Sequence, residues 1–189
     1  MAESTIIKTK LDGVLQLAAL GGGAYNTTTG ALNGGAESYT VSFENGDVAI
    51  TPPTRGVNNY KDRGRTTSPP SLRYTDDGEG SLSFTAHLRD LTDAAAAILS
   101  DIGATLAGNA SGYVGTNWES TTASSSGAGD AEVFSIGAKL TITNAGDGGD
   151  THAIGFNYLT GTISFSEGDP DTISMDLVIQ DPVDEWFMI

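Results

Sequence analysis

The chain contains no cysteine, which removes disulfides, thiolate zinc sites, iron–sulfur clusters and cysteine nucleophiles together. Histidine is nearly as scarce. His87 and His152 are the two imidazoles in 189 residues, so little is left for metal ligation or general-base catalysis. No stretch approaches the roughly 18 consecutive apolar residues of a membrane helix. The opening Met1-Ala2-Glu3-Ser4-Thr5-Ile6-Ile7-Lys8 lacks the basic-then-apolar pattern of a secretory signal, and synthesis in the cytoplasm is the expectation. Bases are few: 9 Lys and Arg against 24 Asp and Glu give a net charge of −15, which argues against a bulk nucleic-acid binder. With 7% aromatics and 25 glycines, a loop-rich domain with a modest core is expected.

Catalytic signatures are missing as well. Gly21-Gly22-Gly23-Ala24-Tyr25-Asn26 places Asn26 where a dinucleotide loop needs its third glycine, and there is no P-loop or Gly-x-Ser-x-Gly elbow. Asn144-Ala145-Gly146-Asp147-Gly148-Gly149-Asp150 lacks the ordered acids of a calcium loop and reads as a tight turn. Asp169-Pro170-Asp171 also reads as a turn, because two carboxylates so close in a turn have nothing to split their acidities. No enzyme activity, cofactor or metal is expected.

The charge is unevenly placed. Residues 90–189 hold 15 acids and one base, Lys139, a net −14, whereas residues 1–89 are almost balanced at −1. Five of the nine bases, Arg55, Lys61, Arg63, Arg65 and Arg73, fall between Thr51 and Tyr74. Such a run is either a solvated loop or a surface complementary to the acidic part of another copy. Pro52-Pro53 and Pro69-Pro70 within it argue against ladder hydrogen bonding there.

What remains is a β pattern. Residues 1–38 carry one short apolar patch, Val14 to Leu20, followed by Gly, Thr and Asn, and read as an arm or flexible loop; a single domain is expected over 39–189. Tyr39, Val41 and Phe43, then Asn45-Gly46, then Val48 and Ile50 predict a hairpin. Leu82, Phe84, Ala86 and Leu88 alternate with polar residues; so do Ile136, Ala138, Leu140 and Ile142; so do Ile163 and Phe165 within 157–166; so do Ile173, Met175, Leu177 and Ile179. Thr92 as N-cap, Ala94 to Ala97, and the stripe Ile98, Leu99, Ile102 predict one short helix ending at Gly103. The fold class is therefore mainly β: antiparallel sandwich or barrel-like sheets with one short packed α-helix. The polar strand faces carry mostly Ser and Thr rather than long charged side chains, so the resulting sheet is wettable but smooth.

Two segments resemble the major tail tube proteins of long-tailed bacteriophages. One is Gly80-Ser81-Leu82-Ser83-Phe84-Thr85-Ala86-His87-Leu88 running into Asp90-Leu91-Thr92-Asp93-Ala94-Ala95-Ala96-Ala97-Ile98-Leu99; the other is the closing hairpin from Leu159 to Ile179 around Glu167-Gly168-Asp169-Pro170-Asp171. The resemblance spans roughly Tyr39 to Gln180 and implies a β-sandwich with one helix, assembled into rings, usually of six subunits, stacked as a hollow tube that conducts the viral genome. It further implies a virion location, partners that are other copies and other tail proteins, and DNA that passes without specific binding. On that reading Arg55, Lys61, Arg63, Arg65 and Arg73 form the inter-ring contact. The alternative is a virion decoration or carbohydrate-binding β-sandwich, with Tyr113, Trp118 and Trp186 as stacking surfaces for sugar rings.

Overall fold

The computed structural model describes residues 13–19, 25–33, 37–41, 48–60, 71–87, 102, 106, 135–143, 151–169, 171–184 and 186–189. They form ten strands: β1 (Gly13–Ala19), β2 (Glu37–Val41), β3 (Ala49–Thr51), β4 (Thr54–Tyr60), β5 (Ser71–Gly78), β6 (Gly80–His87), β7 (Ile136–Thr143), β8 (Thr151–Ser166), β9 (Thr172–Ile179) and β10 (Phe187–Met188). One sheet runs β2-β1-β7-β8-β9-β6-β3 with β10 beside β8; β4 and β5 form a separate two-stranded sheet. Every pairing among these strands is antiparallel, and the sheets do not close into a barrel.

Period-two alternation explains the large sheet. Leu82, Phe84 and Ala86 of β6 lie directly opposite Leu177, Met175 and Ile173 of β9, so one face of the pair is apolar throughout. These residues join Leu15, Leu17, Val41, Ile136, Ala138, Phe156 and Leu159 in a single buried cluster, together with Ile102 and Leu106, both in helical conformation. Each such buried aliphatic side chain stabilises by about 1.5–3 kcal/mol relative to exposure. Strands from both ends of the order thus share one core, and the sheet wraps its apolar face instead of lying flat.

Three expectations are corrected. Gly13–Ala19 is no arm: β1 lies between β2 and β7, and Leu15 and Leu17 are completely buried. The apolar patch was short because a strand needs only a few inward residues, and those glycine- and threonine-rich neighbours hid it. Second, β2 and β3 do not pair as a hairpin. Val41 faces Leu15 and Ile50 faces Leu82, so each strand follows its core-facing residue to a different partner, on opposite sides of the sheet. Third, the proline pairs do not prevent a ladder. Pro52-Pro53 precedes β4 and Pro69-Pro70 precedes β5, so both lie outside the paired residues, and Val57, Asn58, Asn59 and Tyr60 pair with Tyr74, Arg73, Leu72 and Ser71.

Of the expected helix, Ile102 is described, and it is helical and buried; Leu106 is helical too, three residues past the expected stop at Gly103. Thr92 and the alanine run lie outside the described residues, as does the Asn144–Asp150 turn.

Candidate functional site

The outward face of β8, β9, β6 and β3 is built by register. Reading across the strands, Thr160 lies beside Val178, Ser81 and Thr51; Thr162 beside Asp176, Ser83 and Ala49; Ser164 beside Ser174 and Thr85; Ser166 beside Thr172 and His87. The sheet collects the scattered Ser and Thr of the sequence into one mostly hydroxyl surface, broken by Val178, Ala49 and His87, with Asp176 its one carboxylate among the described residues. Thr85 Oγ1 and Ser174 Oγ lie 3.0 Å apart, a hydroxyl–hydroxyl hydrogen bond between neighbouring strands. Small side chains leave no long flexible groups on this face, so covering it costs little side-chain entropy.

The same strands have edges without a partner among the described residues. The backbone of β8 is fully used on one side: Ala153 exchanges two bonds with Ile189, β10 pairs at Ile154 and Gly155, and β9 pairs from Leu159 to Ser166. On its other side β7 stops at Leu159, and Thr160–Ser166 has no strand partner among the described residues. Likewise β3 covers only Ser81–Ser83 of β6, and Phe84–Ala86 has none there among the described residues. Among the described residues, a largely hydroxyl-faced ribbon of three strands therefore has no strand partner along Thr160–Ser166 on one flank and Phe84–Ala86 on the other, and edges of this kind recruit further strands.

What holds this ribbon in place is a buried polar junction that the sequence reading missed. Between Phe156 and Leu159, β8 carries one residue more than β7, a bulge at Asn157 and Tyr158. The bulge turns both amides away from β7, and the carboxylate of Asp181 accepts them, Oδ1 from Asn157 and Oδ2 from Tyr158, each at 2.8 Å. Asn157 then uses its side chain as a substitute strand. Its Oδ1 accepts from Tyr25 N–H at 2.7 Å and its Nδ2 donates to the Tyr25 carbonyl at 3.0 Å. Tyr25 opens a turn that Asn26 caps, accepting the amides of Thr28 and Thr29, with Gly30 at φ 63° closing it. Tyr25, Phe187, Ala18 and Ala153 make a second small core over the outer side of β1, β7 and β8. Burial raises the Tyr25 phenol well above its ordinary range. Lys139 donates to the Gly30 carbonyl at 3.0 Å and lies 5.0 Å from the Tyr25 ring, and its partial burial lowers its pKa. A trace of this junction was present in the sequence: apolar positions run 154, 156 and then 159, 163, 165, a change of parity that a bulge produces.

Of the five bases expected to form a contact, Arg55 and Arg73 lie on the β4–β5 hairpin; Lys61, Arg63 and Arg65 lie outside the described residues. Arg55 is engaged within the chain. Its Nε donates to Asp77 Oδ1 at 2.9 Å and a terminal nitrogen donates to Asp184 Oδ2 at 3.1 Å, and these two bonds, Asp77 first, raise its pKa further. Its guanidinium also lies 5.3 Å from the centre of the Tyr74 ring. The hairpin shows water an apolar side: Val57, Leu72 and Tyr74 are 54%, 60% and 71% exposed and line, with Arg73, a shallow hollow of about 240 Å³.

The remaining candidates fall out differently. Asp171 accepts the Gly168 amide at 2.8 Å, which makes it the clasp of the β8–β9 turn. Trp186 packs inward against the core with its ring 6.1 Å from that of Phe156, so it offers no sugar platform; Tyr113 and Trp118 lie outside the described residues.

No family profile matches the sequence, and no curated protein matches it. Among solved structures, the chain is similar to one in the cryo-EM structure of the anti-feeding prophage baseplate, 6-fold symmetrised, with TM-score 0.55 and 10% identity over 100% of this chain and 97% of that one. It also matches a chain of the anti-feeding prophage tube-terminating cap at TM-score 0.49 and 9% identity, covering 100% of this chain and 93% of that one. A third, from the sheath-tube complex of an extracellular contractile injection system in its extended state, has TM-score 0.46 and 9% identity over 92% and 87%. At such low identity the baseplate likeness speaks to the fold alone: this chain has the mainly-β fold of a component of that assembly.

Proposed function

We propose that this chain is a structural subunit of a phage-tail-like tube, without catalytic activity, that assembles into rings stacked around a lumen. The observation that carries the reading is the mostly hydroxyl face of β8, β9, β6 and β3, flanked by two strand edges that have no partner among the described residues. Because β8 and β6 run in the same direction, the Thr160–Ser166 edge of one copy and the Phe84–Ala86 edge of the next would meet as a parallel, head-to-tail junction. A head-to-tail contact that closes makes a ring. The likeness to a chain of a baseplate described as 6-fold symmetrised supports six subunits per ring.

In such a ring the hydroxyl face lines the inside. DNA then crosses a wall that carries no Lys or Arg among the described residues, and Asp176 repels phosphate. The β4–β5 hairpin, with Arg73 and the basic segment that follows β4, would be the contact between rings, set against the acidic surface of a neighbouring copy. Each exposed pair contributes only about 0.2–1 kcal/mol, so this contact works through repetition around the ring. The experiment is light scattering across a protein concentration series with the native chain and with Arg63→Glu/Arg65→Glu. The native chain is expected to grow into large particles, and the double variant, with unchanged circular dichroism, to stop at rings or monomers. Equal growth of both would refute the role of the basic segment.

A further inference from the structure

Among the described residues, the β4–β5 hairpin belongs to a different sheet from the other strands, and no ladder joins the two sheets. A two-stranded hairpin on its own is marginal in water, and its direction must be set at its root. The root is narrow. Pro53 is buried against Gly80, where a Cβ on the glycine would meet Pro53 Cδ, Pro53 N and the Thr51 carbonyl oxygen, each at 2.7 Å. Entering and leaving chains therefore run side by side within van der Waals contact, in the register that Thr51–Ser81 and Thr54–Gly78 share, and the break in the ladder between those pairs acts as a pivot.

Two residues beyond this pivot, Arg55 reaches out of the hairpin to Asp184 on the C-terminal segment. That segment is itself immobilised on both sides of Asp184. Asp181 is 3% exposed and tied to the bulge amides, Trp186 packs against Phe156, Phe187 fills the space beside Gly155, and Ile189 exchanges backbone bonds with Ala153. Asp184 is thus a carboxylate held by a rigid strap, although its own side chain is 79% exposed. Asp77, the other partner of Arg55, lies on β5 opposite Arg55 and moves with the hairpin.

From this geometry we infer that the C-terminal segment is a latch: the Arg55–Asp184 pair fixes the direction of the β4–β5 hairpin about its Pro53/Gly80 pivot, and breaking that pair frees the hairpin to swing. The strap reads the main sheet through Asp181 and the hairpin through Asp184, so the two are coupled through nine residues of chain ending at Ile189. This holds for the single subunit and does not depend on its assembling.

The absence of native cysteine allows the test to be made directly. Spin labels at Asn58→Cys on β4 and Glu167→Cys at the β8–β9 turn, both exposed positions, report the hairpin direction as a distance distribution in labelled subunits diluted with unlabelled protein. Asp184→Asn is expected to broaden that distribution and to speed hydrogen exchange of the hairpin amides by up to about five-fold, the range open to an exposed ion pair, while exchange in β8 and β9 stays unchanged. Asp77→Asn, which leaves the Arg55–Asp184 bond in place, is expected to keep the distribution narrow. An unchanged distribution in Asp184→Asn, equal broadening in Asp77→Asn, or a matching rise of exchange in β8 and β9 would each overturn the latch.

Discussion

Single residues decide whether β8 can serve two partners in succession. Asp181 is buried and accepts the two amides that the bulge frees, so its removal leaves two buried donors without acceptors. Asp181→Ala is expected to lower unfolding free energy by about 1–3 kcal/mol for each stranded donor, read as a shift of the urea midpoint, with Asp181→Asn intermediate because one oxygen remains. Tyr25 gives a second expectation, with a definite sign. Its phenol keeps its proton in the folded chain above the ordinary pKa of 10.0, while the unfolded chain releases it there. The folded state then binds more protons than the unfolded one, and stability falls as pH rises above 10.0, by up to about 1.4 kcal/mol per pH unit. Tyr25→Phe should remove this alkaline loss in thermal melts taken from pH 9 to 11, about the titration range of a tyrosine. The parity change from Phe156 to Leu159 made the bulge legible in the sequence. Its acceptor was not, because Asp181 reaches β8 only once β9 has folded back.

At the level of elements, alternation of residue type made β6, β7, β9 and the second half of β8 readable, and in β6 and β9 it matches an inside–outside burial pattern along the strand. Pairing was less so. Val41 and Ile50 flank a strong turn dipeptide, yet each strand joins a different neighbour, because core-facing contacts outweigh local turn preference. β1 escaped notice for the opposite reason: its inward residues are too few to stand out beside a glycine run, although it lies between two partners. The basic hairpin reads as a loop because its strands are mostly polar and the proline pair before each strand looks like an interruption. Packing of β10 on β8 yields a further test. The Phe187 ring occupies the space that a Cβ on Gly155 would need. Gly155→Ala should therefore displace the C-terminal segment and cost about 1–3 kcal/mol of stability, as overpacking does, with loss of protection at the Ala153 and Ile189 amides in hydrogen exchange.

For the whole molecule, the uneven charge and the smooth sheet belong to one account. The hydroxyl face, spread through the sequence as unremarkable Ser and Thr, becomes a surface only when register aligns β8, β9, β6 and β3. Its smoothness was legible from the residues; its extent, and the edges on its flanks that lack a partner among the described residues, required the strand order. In the proposed tube, the acidic excess of residues 90–189 would keep the lumen from adhering to DNA, and the basic hairpin region would be its counterpart on another copy. The most direct test is negative-stain electron microscopy of the purified chain across a concentration series. The account predicts rings and hollow tubes with a central channel; dispersed single subunits at every concentration would contradict it.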